Sequence, residues 1–463
     1  MKNGKTLLPL ALVLTLALLA CGLFSAPVAR ELQAPPTSTT IPFTTTPTKT
    51  TLLETATPPV EPARSNTPLP AQPAMEPYFA PGDEVQLDEI HMLSLTEGWA
   101  RSGPFVLVTG DGGSNWREVT PPGTLPDGTW KAASGPHVLE TSDGGVTWRP
   151  AADPDSLHSW ERVHLFATFL DARTAWVVYT AGTSFRPDTQ VWRTTDGGRS
   201  WTASLAFEPD IRGDGAWARM FALDPEHLWL MACVDWVGAG HHFDSRFFHS
   251  SDGGANWEPM DVDVGVNFTG MAFSDPVHGW LIWQTLSAYY NIPPEFATTA
   301  DGGQTWEDHS LPPPPGTPHL FDEQYLYCEP YQLNLLSSES VRLLVGCFDY
   351  EYSPKSYASY LYASDDGGDT WSAQLLPDPV YAPEYTLIYF DAGQALLLGR
   401  EMYSSNDGGE SWNHFKTVSW DGDFSFVDRQ HGWAVARADG EVALVSTEDG
   451  GATWAEIHPT SAE

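Results

Sequence analysis

The sequence predicts an all-β fold built from one repeated unit, and two observations support this prediction. A turn-forming motif occurs eight times between residues 85 and 463. Short runs of strand-favouring residues, bounded by turn residues, lie between its copies. Hydrophobic residues make up 41% of the 463 residues, which is enough for a large shared core. We therefore expect the repeats to form antiparallel sheets that pack on one another.

The first 20 residues have the composition of a secretion signal. Lys2 and Lys5 precede an uncharged run from Thr6 to Ala20, which is too short to cross a bilayer as a helix. The run leads into Leu-Leu-Ala-Cys, which resembles the lipobox of bacterial lipoprotein precursors. The resemblance implies that Cys21 receives a lipid and becomes the mature N-terminus. An ordinary signal peptide followed by an unrelated cysteine is the alternative.

Residues 21–75 are predicted to form a disordered stalk that begins with the lipidated cysteine. Thr and Pro dominate from residue 31 onward, and few apolar side chains are available to form a core. Such a stalk would hold the folded domain, residues 76–463, away from the membrane. We expect a protein anchored by its N-terminal lipid at the bacterial cell surface or on the outer face of the cytoplasmic membrane.

The chain is strongly acidic, with 60 Asp and Glu residues against 23 Lys and Arg residues and a formal charge of −37. This charge repels phosphate backbones and anionic lipid head groups. Nucleic acid is therefore not an expected partner. The membrane is an expected partner only through the N-terminal lipid.

Two cysteines flank a predicted hairpin. Cys328 and Cys347 lie on either side of a turn at residues 337–340, which is close to midway between them. This spacing places the two side chains nearly opposite each other across two strands. They form either a disulfide, in an oxidising compartment, or two free buried thiols.

Each copy of the repeated motif reads Ser/Thr, any residue, Asp, Gly, Gly, any residue, Ser/Thr/Asn, Trp. The carboxylate accepts backbone N–H bonds, the hydroxyl residues brace the ends of the turn, and the glycines permit positive φ. The tryptophan is then directed between layers of sheet. Because turn formation accounts for every residue of the motif, we expect none of its aspartates to be catalytic. The aspartates are Asp111, Asp143, Asp196, Asp252, Asp301, Asp366, Asp407 and Asp449.

The repeat length predicts a single β-propeller of four-stranded antiparallel blades. A second, looser turn element precedes most copies of the motif, and it ends in Gly-Trp in residues 273–280 and 426–433. Residues 85–463 divide into eight repeats of about 47 residues, close to the length of one blade. We predict eight blades from the motif count. Since only 32 residues separate Asp111 from Asp143, seven blades plus a hairpin is the alternative.

The motif is identified as the Asp-box, or BNR, repeat of sialidases, sortilin-type receptors and photosystem II assembly factors. The resemblance covers about four fifths of the chain, and the Gly-Trp turns make the repeats most similar to those of the assembly factors. It implies a propeller fold. It leaves the function open, because one fold hosts many functions.

The predicted binding surface lies on the face opposite the Asp-boxes. In a four-stranded meander the third turn, which holds the box, shares a face with the first turn, and the second turns share the other face. Long aromatic and polar insertions precede the third strand in four repeats, at residues 183–190, 235–246, 284–296 and 349–360. They suit a saccharide or an extracellular polypeptide, while mutual packing of the loops is the alternative. The candidate ligand-binding residues are Arg186, Trp236, His241, His242, Asp244, Tyr289, Tyr290, Tyr350, Tyr352, Tyr357 and Tyr360.

No cofactor and no metal is expected. His241 and His242 with Asp244 offer metal-binding atoms, but adjacent residues of an extended chain point to opposite faces. The acidic pairs of the sequence lack the remaining spacing of a calcium loop. Calcium binding is left open.

A glycoside hydrolase, sialidase-like or acting on neutral sugars, is the rival class. The Phe/Tyr-Arg-Ile-Pro signature of sialidases lies in their first blade, whereas residues 185–187 read Phe-Arg-Pro and follow the second box. The assembly-factor resemblance implies a third role, on a membrane protein complex, but a basic patch serves that role in photosynthetic members and this chain is acidic. We therefore predict no catalytic residue and a protein that binds its ligand.

Overall fold

The computed structural model describes most of the residues after 70, and the predicted signal segment, Cys21 and residues 22–70 lie outside this part. No helix among the described residues is long and apolar enough to span a membrane. The described residues are 71–122, 125, 128–134, 137–153, 157–182, 184–185, 189–207, 211–212, 217–237, 242–262, 268–283, 293–322, 326–349, 357–377 and 380–462.

The first half of the domain forms an N-terminal strand and three sheets. Strand β1 spans Gln72–Pro73. Sheet 1 contains β2 (Glu89–Met92), β3 (Gly98–Ser102), β4 (Phe105–Thr109) and β5 (Asn115–Glu118). Sheet 2 contains β6 (Trp130–Ser134), β7 (His137–Thr141) and β8 (Arg149–Pro150). Sheet 3 contains β9 (Val163–Phe169), β10 (Ala175–Ala181), β12 (Gln190–Thr194) and β13 (Ser200–Ala206), with β1 on its outer edge and the short strands β11 (Ser184–Phe185) and β14 (Ile211–Arg212) at one end.

The second half forms five further sheets. Sheet 4 contains β15 (Trp217–Ala222), β16 (Leu228–Val237), β17 (His242–Ser250) and β18 (Glu258–Met260), and sheet 5 contains β19 (Phe268–Phe273), β20 (Gly279–Trp283), β21 (Glu295–Thr299) and β22 (Glu307–Ser310). Sheet 6 contains β23 (Leu326–Leu335), β24 (Val341–Asp349), β25 (Tyr357–Ser364) and β26 (Ser372–Leu375). Sheet 7 contains β27 (Thr386–Tyr389), β28 (Ala395–Leu398), β29 (Glu401–Ser405) and β30 (Asn413–Thr417). Sheet 8 contains β31 (Asp421–Phe426), β32 (Gly432–Ala438), β33 (Glu441–Thr447) and β34 (Ala455–Ile457), and β35 (Thr460–Ser461) pairs in parallel with β5 of sheet 1.

The predicted four-stranded antiparallel meander is confirmed in every sheet except sheet 2, within the described residues. Sheet 2 has three strands because its repeat is the shortest, with 32 residues between Asp111 and Asp143. Short 3-10 helices lie in three of the links between sheets, at Ser159–Glu161, Leu320–Asp322 and Ala382–Glu384. The second repeat is thus the one that departs from the common pattern.

The four-stranded sheets pack side by side with their first strands innermost. These first strands contact one another in order: β9 with β15, β15 with β19, β19 with β23, β23 with β27, β27 with β31, and β31 with β2. The last contact joins the end of the domain to its beginning. The backbone N–H of Ile90 donates to Asp423 at 3.1 Å, and that of Met92 donates to the Ser425 hydroxyl at 2.8 Å. This arrangement is that of a β-propeller.

Buried tryptophans near the start of the second strands join neighbouring sheets together. Three of them donate an indole N–H bond of 2.9 Å to the first box glycine of the next sheet. Each bond satisfies an indole N–H that would otherwise be buried without a partner. The pairs are Trp176 with Gly253, Trp229 with Gly302, and Trp433 of sheet 8 with Gly112 of sheet 1.

Sheet 1 packs directly on sheet 3, and sheet 2 lies beside both. The Trp99 indole N–H donates to the Asp171 carbonyl at 2.9 Å, and its ring stacks on Phe169 of sheet 3. The Ser134 hydroxyl of sheet 2 lies 3.0 Å from that of Ser102 in sheet 1. Sheet 2 therefore contacts its neighbours at the end of their strands and does not separate the first strands of sheets 1 and 3.

Box turns and first turns lie at one end of the strands. In seven sheets the first box glycine donates its N–H to a carbonyl of the first turn of the same sheet, at 2.8 to 2.9 Å. We call this end the box face and the other end the second-turn face. The pairs are Gly112 with Thr96, Gly197 with Arg173, Gly253 with Glu226, Gly302 with Val277, Gly367 with Glu339, Gly408 with Gly393, and Gly450 with Gln430.

The two cysteines of the predicted hairpin lie opposite each other in sheet 6. Cys328 of β23 pairs in register with Cys347 of β24, and the two buried side chains form a disulfide. Of the two sequence alternatives, the disulfide is the one that the structure contains. It closes the sheet near its second-turn end.

Candidate ligand-binding site

The Asp-boxes are internally satisfied turns. In the first copy the Thr109 hydroxyl donates to Asp111 Oδ1 at 3.0 Å, and the Gly113 N–H donates to the Thr109 hydroxyl oxygen at 3.1 Å. The backbone N–H of Asn115 donates to Asp111 Oδ1 at 2.9 Å, and its side-chain amide donates to Oδ2 at 2.7 Å. Both carboxylate oxygens are thus engaged. The same bonds recur at Asp143, Asp196, Asp252, Asp301, Asp366, Asp407 and Asp449.

Hydrogen bonds hold the box aspartates in their charged form. At Asp407 the Ser411 hydroxyl, and then the Ser411 N–H, lower the pKa to about 2. Both box glycines have positive φ in all eight copies, between 72° and 98°, as the motif predicts. A carboxylate with this many donors has little remaining capacity to contact a ligand or move a proton.

The four insertions leave the sheets as second turns, as predicted. They join β10 to β12, β16 to β17, β20 to β21 and β24 to β25, at the end of the strands away from the boxes. Six of the candidate residues lie outside the described residues: Arg186, His241, Tyr289, Tyr290, Tyr350 and Tyr352.

The remaining five candidates lie on strands. Trp236, His242 and Asp244 occupy the paired ends of β16 and β17, and Tyr357 is the first residue of β25. Tyr360 is only 7% exposed and belongs to the core between sheets 5 and 6. Tyr360 follows Tyr357 by three residues in β25 and packs between the two sheets. It is therefore a core residue and not part of a binding surface.

A cavity of about 660 Å³ lies at the second-turn face, among the first strands of sheets 1, 3 and 4. Its lining includes Glu89, at the start of β2, and His164, near the start of β9. Three arginines, Arg101, Arg162 and Arg219, also line it. Because the first strands begin at the second-turn end, these residues converge there from different repeats.

Arg101 is the fixed member of this group. Its Nε lies 2.6 Å from Glu89 Oε2, and its Nη1 donates to the Leu165 carbonyl at 3.3 Å. These contacts link sheet 1 to sheet 3 across the wall of the cavity. Arg101 therefore holds the wall together, and its charge is matched by Glu89.

Arg162 and Arg219 form no ion pair among the described residues. Both side chains are exposed to the cavity. The Arg219 guanidinium lies 5.3 Å from the ring centre of Trp217, and its Nη1 donates to the Ala218 carbonyl at 3.2 Å. The cavity thus presents two guanidinium groups that form no ion pair within the described residues, while the carboxylates of Asp88 and Glu89 also line it.

His164 lines the same cavity, near Arg162 and Arg101. Burial, and then the positive charges of Arg162 and Arg101, lower its pKa to about 4. The imidazole is therefore neutral at pH 7, with one nitrogen as donor and the other as acceptor. A lowered histidine pKa of this origin marks a site of positive potential with limited hydration.

Two carboxylates reach the same region from neighbouring first strands. Glu89 lies on β2 and Asp423 on β31, where Asp423 accepts the Ile90 N–H. Burial, and then the charge of Glu89, raise the pKa of Asp423 to about 6. A carboxyl group that protonates close to neutral pH therefore lies near the ion-paired carboxylate of Glu89.

A second cavity, of about 640 Å³, lies on the box face between sheets 1 and 3. Arg117, Arg173 and Arg199 line it together with two box aspartates, Asp111 and Asp196. The Arg117 guanidinium donates to the Gly197 carbonyl at 3.2 Å, and that of Arg199 donates to the Asp196 carbonyl at 2.9 Å. Arg117 and Arg199 thus bond to the box turn of sheet 3.

The arginines of the second-turn cavity were not among the residues that sequence reasoning selected. A signal was present in the spacing of Arg162 and His164 at the start of a first strand, because residues two apart on a strand share one face. No group of three or more His, Cys, Asp and Glu side chains with metal-binding geometry occurs in the part of the chain that the structure describes.

Fold and cavity together define an Asp-box β-propeller with a cationic cavity on the face away from the boxes. Solved structures of similar fold include YCF48 bound to a D1 peptide, which is 16% identical with a TM-score of 0.43 and covers 81% of this chain and 99% of its own. YCF48 from Cyanidioschyzon merolae is 17% identical with a TM-score of 0.39, and the match covers 80% of this chain and 99% of that structure. The GH93 α-L-arabinofuranosidase of Fusarium graminearum is 12% identical with a TM-score of 0.40, and the match covers 62% of this chain and 92% of that structure. No protein-family model and no curated protein sequence matches the chain.

Proposed function

We propose that the protein is a secreted, lipid-anchored propeller that binds an extracellular saccharide or polypeptide on its second-turn face. We propose further that the cavity there holds an anionic group of the ligand, such as a carboxylate. The observation that carries this proposal is the pair Arg162 and Arg219, two guanidinium groups without an ion-pair partner in the described chain, beside the neutral His164.

The net charge of the chain makes this cavity unusual. A formal charge of −37 repels anions over most of the surface. Salt screens charges beyond about 8 Å at physiological ionic strength, so a ligand inside the cavity responds mainly to the charges next to it, which are three arginines against Asp88 and Glu89. Each charge-assisted hydrogen bond there would contribute about 1.5 to 3 kcal/mol.

The size of the cavity also supports a small anionic group. Small-molecule sites commonly enclose roughly 300 to 1,000 Å³, and this cavity has about 660 Å³. It would accept one sugar ring or one side chain with its carboxylate. The four insertions join strands whose described ends lie at the same face, so we propose that they contact the rest of a longer ligand.

The binding proposal is tested with the full-length protein and matched ligands. Oligosaccharides with and without uronic acids, and peptides with free or amidated C-termini, are compared by isothermal titration calorimetry. We expect only carboxylate-bearing ligands to bind and Arg162→Gln to weaken them about tenfold or more. Arg149→Gln is the control, because Arg149 is exposed and pairs with Glu140 outside the cavity. Equal binding of neutral and acidic ligands would contradict the proposal.

The lipid anchor is tested separately. Cells that express the protein are labelled with a fatty-acid analogue, and membrane and soluble fractions are compared. We expect the wild-type protein to carry the label and Cys21→Ser to lose it and leave the membrane fraction. Label retained on Cys21→Ser would show that the lipobox resemblance is accidental.

Glycoside hydrolysis is the second candidate function, and the pair Glu89 and Asp423 favours it. Hydrolysis of a glycosidic bond uses one protonated and one ionised carboxyl group, roles that Asp423 and the ion-paired Glu89 would supply. Fluorogenic sialosides and neutral glycosides test this function. Turnover that falls about 100-fold or more in Asp423→Asn would replace the binding proposal with an enzymatic one.

A further inference from the structure

Trp160 is an exposed aromatic side chain beside the cationic cavity. It is 63% exposed, whereas Trp99, Trp116 and Trp176 are fully buried. One face of its ring is covered by His158, with the ring centres 4.4 Å apart and the planes within 11°. The indole is thus held on one side by His158 and is otherwise largely exposed.

The backbone around Trp160 is held in place. Its 3-10 helix, Ser159–Glu161, is tied to sheet 2 by the ion pair between Glu161 and Lys131, at 3.1 Å. The Trp160 carbonyl packs on Gly182, which has a φ of +68° and where a Cβ would come within 2.7 Å of the carbonyl oxygen. A ring presented by an ordered backbone loses little conformational entropy when a ligand stacks on it.

Trp160 is two residues away from a residue that lines the cavity. Arg162, which lines the cavity, follows Trp160 by two residues, and its carbonyl accepts the Gly182 N–H at 2.7 Å. The same second-turn glycine thus fixes the backbone of both residues. An exposed aromatic ring and a guanidinium without an ion pair in the described chain thus leave the backbone two residues apart, and the second of them lines the cavity.

We propose that Trp160 and Arg162 form a subsite for an acidic pyranoside, in which the sugar ring stacks on the indole and its carboxylate meets the guanidinium. This inference rests on the proposed function and names the class of its ligand. The C–H face of a pyranose is apolar while its rim is polar, which matches a flat ring bordered by charged groups. The cavity lining combines three arginines, Asp88, Glu89 and His164 with apolar residues, so it offers polar partners for a sugar carboxylate and for hydroxyl groups.

The charge of the chain limits the length of this ligand. Every additional uronic acid beyond the cavity meets a surface with a formal charge of −37. We therefore expect a mono- or disaccharide with one carboxylate to bind better, per carboxylate, than a long polyuronate.

The test uses the full-length protein, and the probes are methyl glucuronide, methyl glucoside and succinate. Affinities are measured by calorimetry for the wild type, Trp160→Ala, Trp160→Phe and Arg162→Gln. We expect the wild type to bind the glucuronide best, Trp160→Ala to weaken it about tenfold, and Trp160→Phe to keep most of the affinity. Succinate, which has no ring, should be insensitive to Trp160→Ala.

Controls separate this inference from the proposed function. Val277→Ala removes a 43% exposed apolar side chain on the box face and should change nothing. An unchanged glucuronide affinity in Trp160→Ala, together with a loss in Arg162→Gln, overturns the stacking inference alone. Glucuronide and succinate affinities that are unchanged in Arg162→Gln, or no binding at millimolar concentration, overturn the subsite together with the anionic-ligand proposal.

Discussion

Two cavities of similar volume, each with three arginines, lie on opposite faces of the propeller. On the box face, Arg117 and Arg199 donate to carbonyls of the box of sheet 3, and two box aspartates share the cavity. On the second-turn face no box residue lines the cavity, and Arg219 donates only to the carbonyl of Ala218, its neighbour in the chain, among the described residues. The difference shows that a repeated turn uses its polar groups on itself. The arginines on the face without boxes bond to no box turn, and we therefore propose that the ligand binds there.

We expect a substitution on the box face to lower the stability of the fold more than a comparable substitution on the second-turn face. Gly368 has a φ of +97°, and a Cβ there would lie 2.7 Å from Trp280 of the neighbouring sheet. We expect Gly368→Val to lower the free energy of unfolding by about 4 kcal/mol, from backbone strain and overpacking. Urea titration followed by tryptophan fluorescence measures this loss.

Gly440→Val is the matched control on the second-turn face. Gly440 also has positive φ, +87°, but no atom lies within 4 Å of the position that a Cβ would take. The loss there should be about 1 to 2 kcal/mol, from the backbone conformation alone. Equal losses at both glycines would mean that the contact between sheets at the boxes adds nothing to the free energy of unfolding.

The second-turn end of sheet 6 is held by a covalent bond. The disulfide between Cys328 and Cys347 has a sequence separation of 19, so it restricts the unfolded chain by about 3 kcal/mol. The double replacement by Ala should lower the free energy of unfolding by this amount. A reductant should destabilise the wild type to the same extent and leave the double variant unchanged. A reductant that destabilises both would assign the effect to another cause.

Buried and box carboxylates should respond to pH in opposite ways. The pKa of Asp423, about 6 in the folded protein, lies above its unfolded value near 4, so the folded state binds the proton more tightly. The ionised group therefore costs stability, about 3 kcal/mol above pH 6, and this cost disappears as the pH falls below about 4. Asp423→Asn should be more stable than the wild type at pH 8 and equal to it at pH 4. Thermal unfolding at the two pH values measures the difference.

Asp407 supplies the opposite case on the box face. Its folded pKa of about 2 lies below the unfolded value, so its contribution is present above about pH 4 and is lost as the pH falls through 2. Asp407→Asn should be less stable than the wild type at pH 7, and the gap should close near pH 2. A gap that is independent of pH would mean that the charge of the carboxylate has no part in the turn.

The sequence predicted the features that local chemistry determines. The box turns, the four-stranded meander and the position of the insertions follow from residues that are neighbours in the chain. The register that joins Cys328 to Cys347 follows from one hairpin. Each of these features needs only a short stretch of sequence.

What the sequence did not predict depends on contacts between distant repeats. Arg101, Arg162 and Arg219 are each separated from the next by about 60 residues, and they line one cavity because sheets 1, 3 and 4 pack together at their second-turn ends. Tyr360 was placed on the binding face, but the alternation of β25 buries it between sheets. The short second repeat was visible in the sequence. Its outcome, a three-stranded sheet beside sheets 1 and 3, depends on how those two sheets pack.

The central claim is that recognition takes place on the second-turn face and not at the boxes. The most direct measurement compares the affinity of Arg162→Gln and Arg199→Gln for methyl glucuronide by calorimetry, since each removes one guanidinium from one of the two cavities. We predict a loss of about tenfold or more in Arg162→Gln and an unchanged affinity in Arg199→Gln. A loss in Arg199→Gln with full affinity in Arg162→Gln would contradict the account.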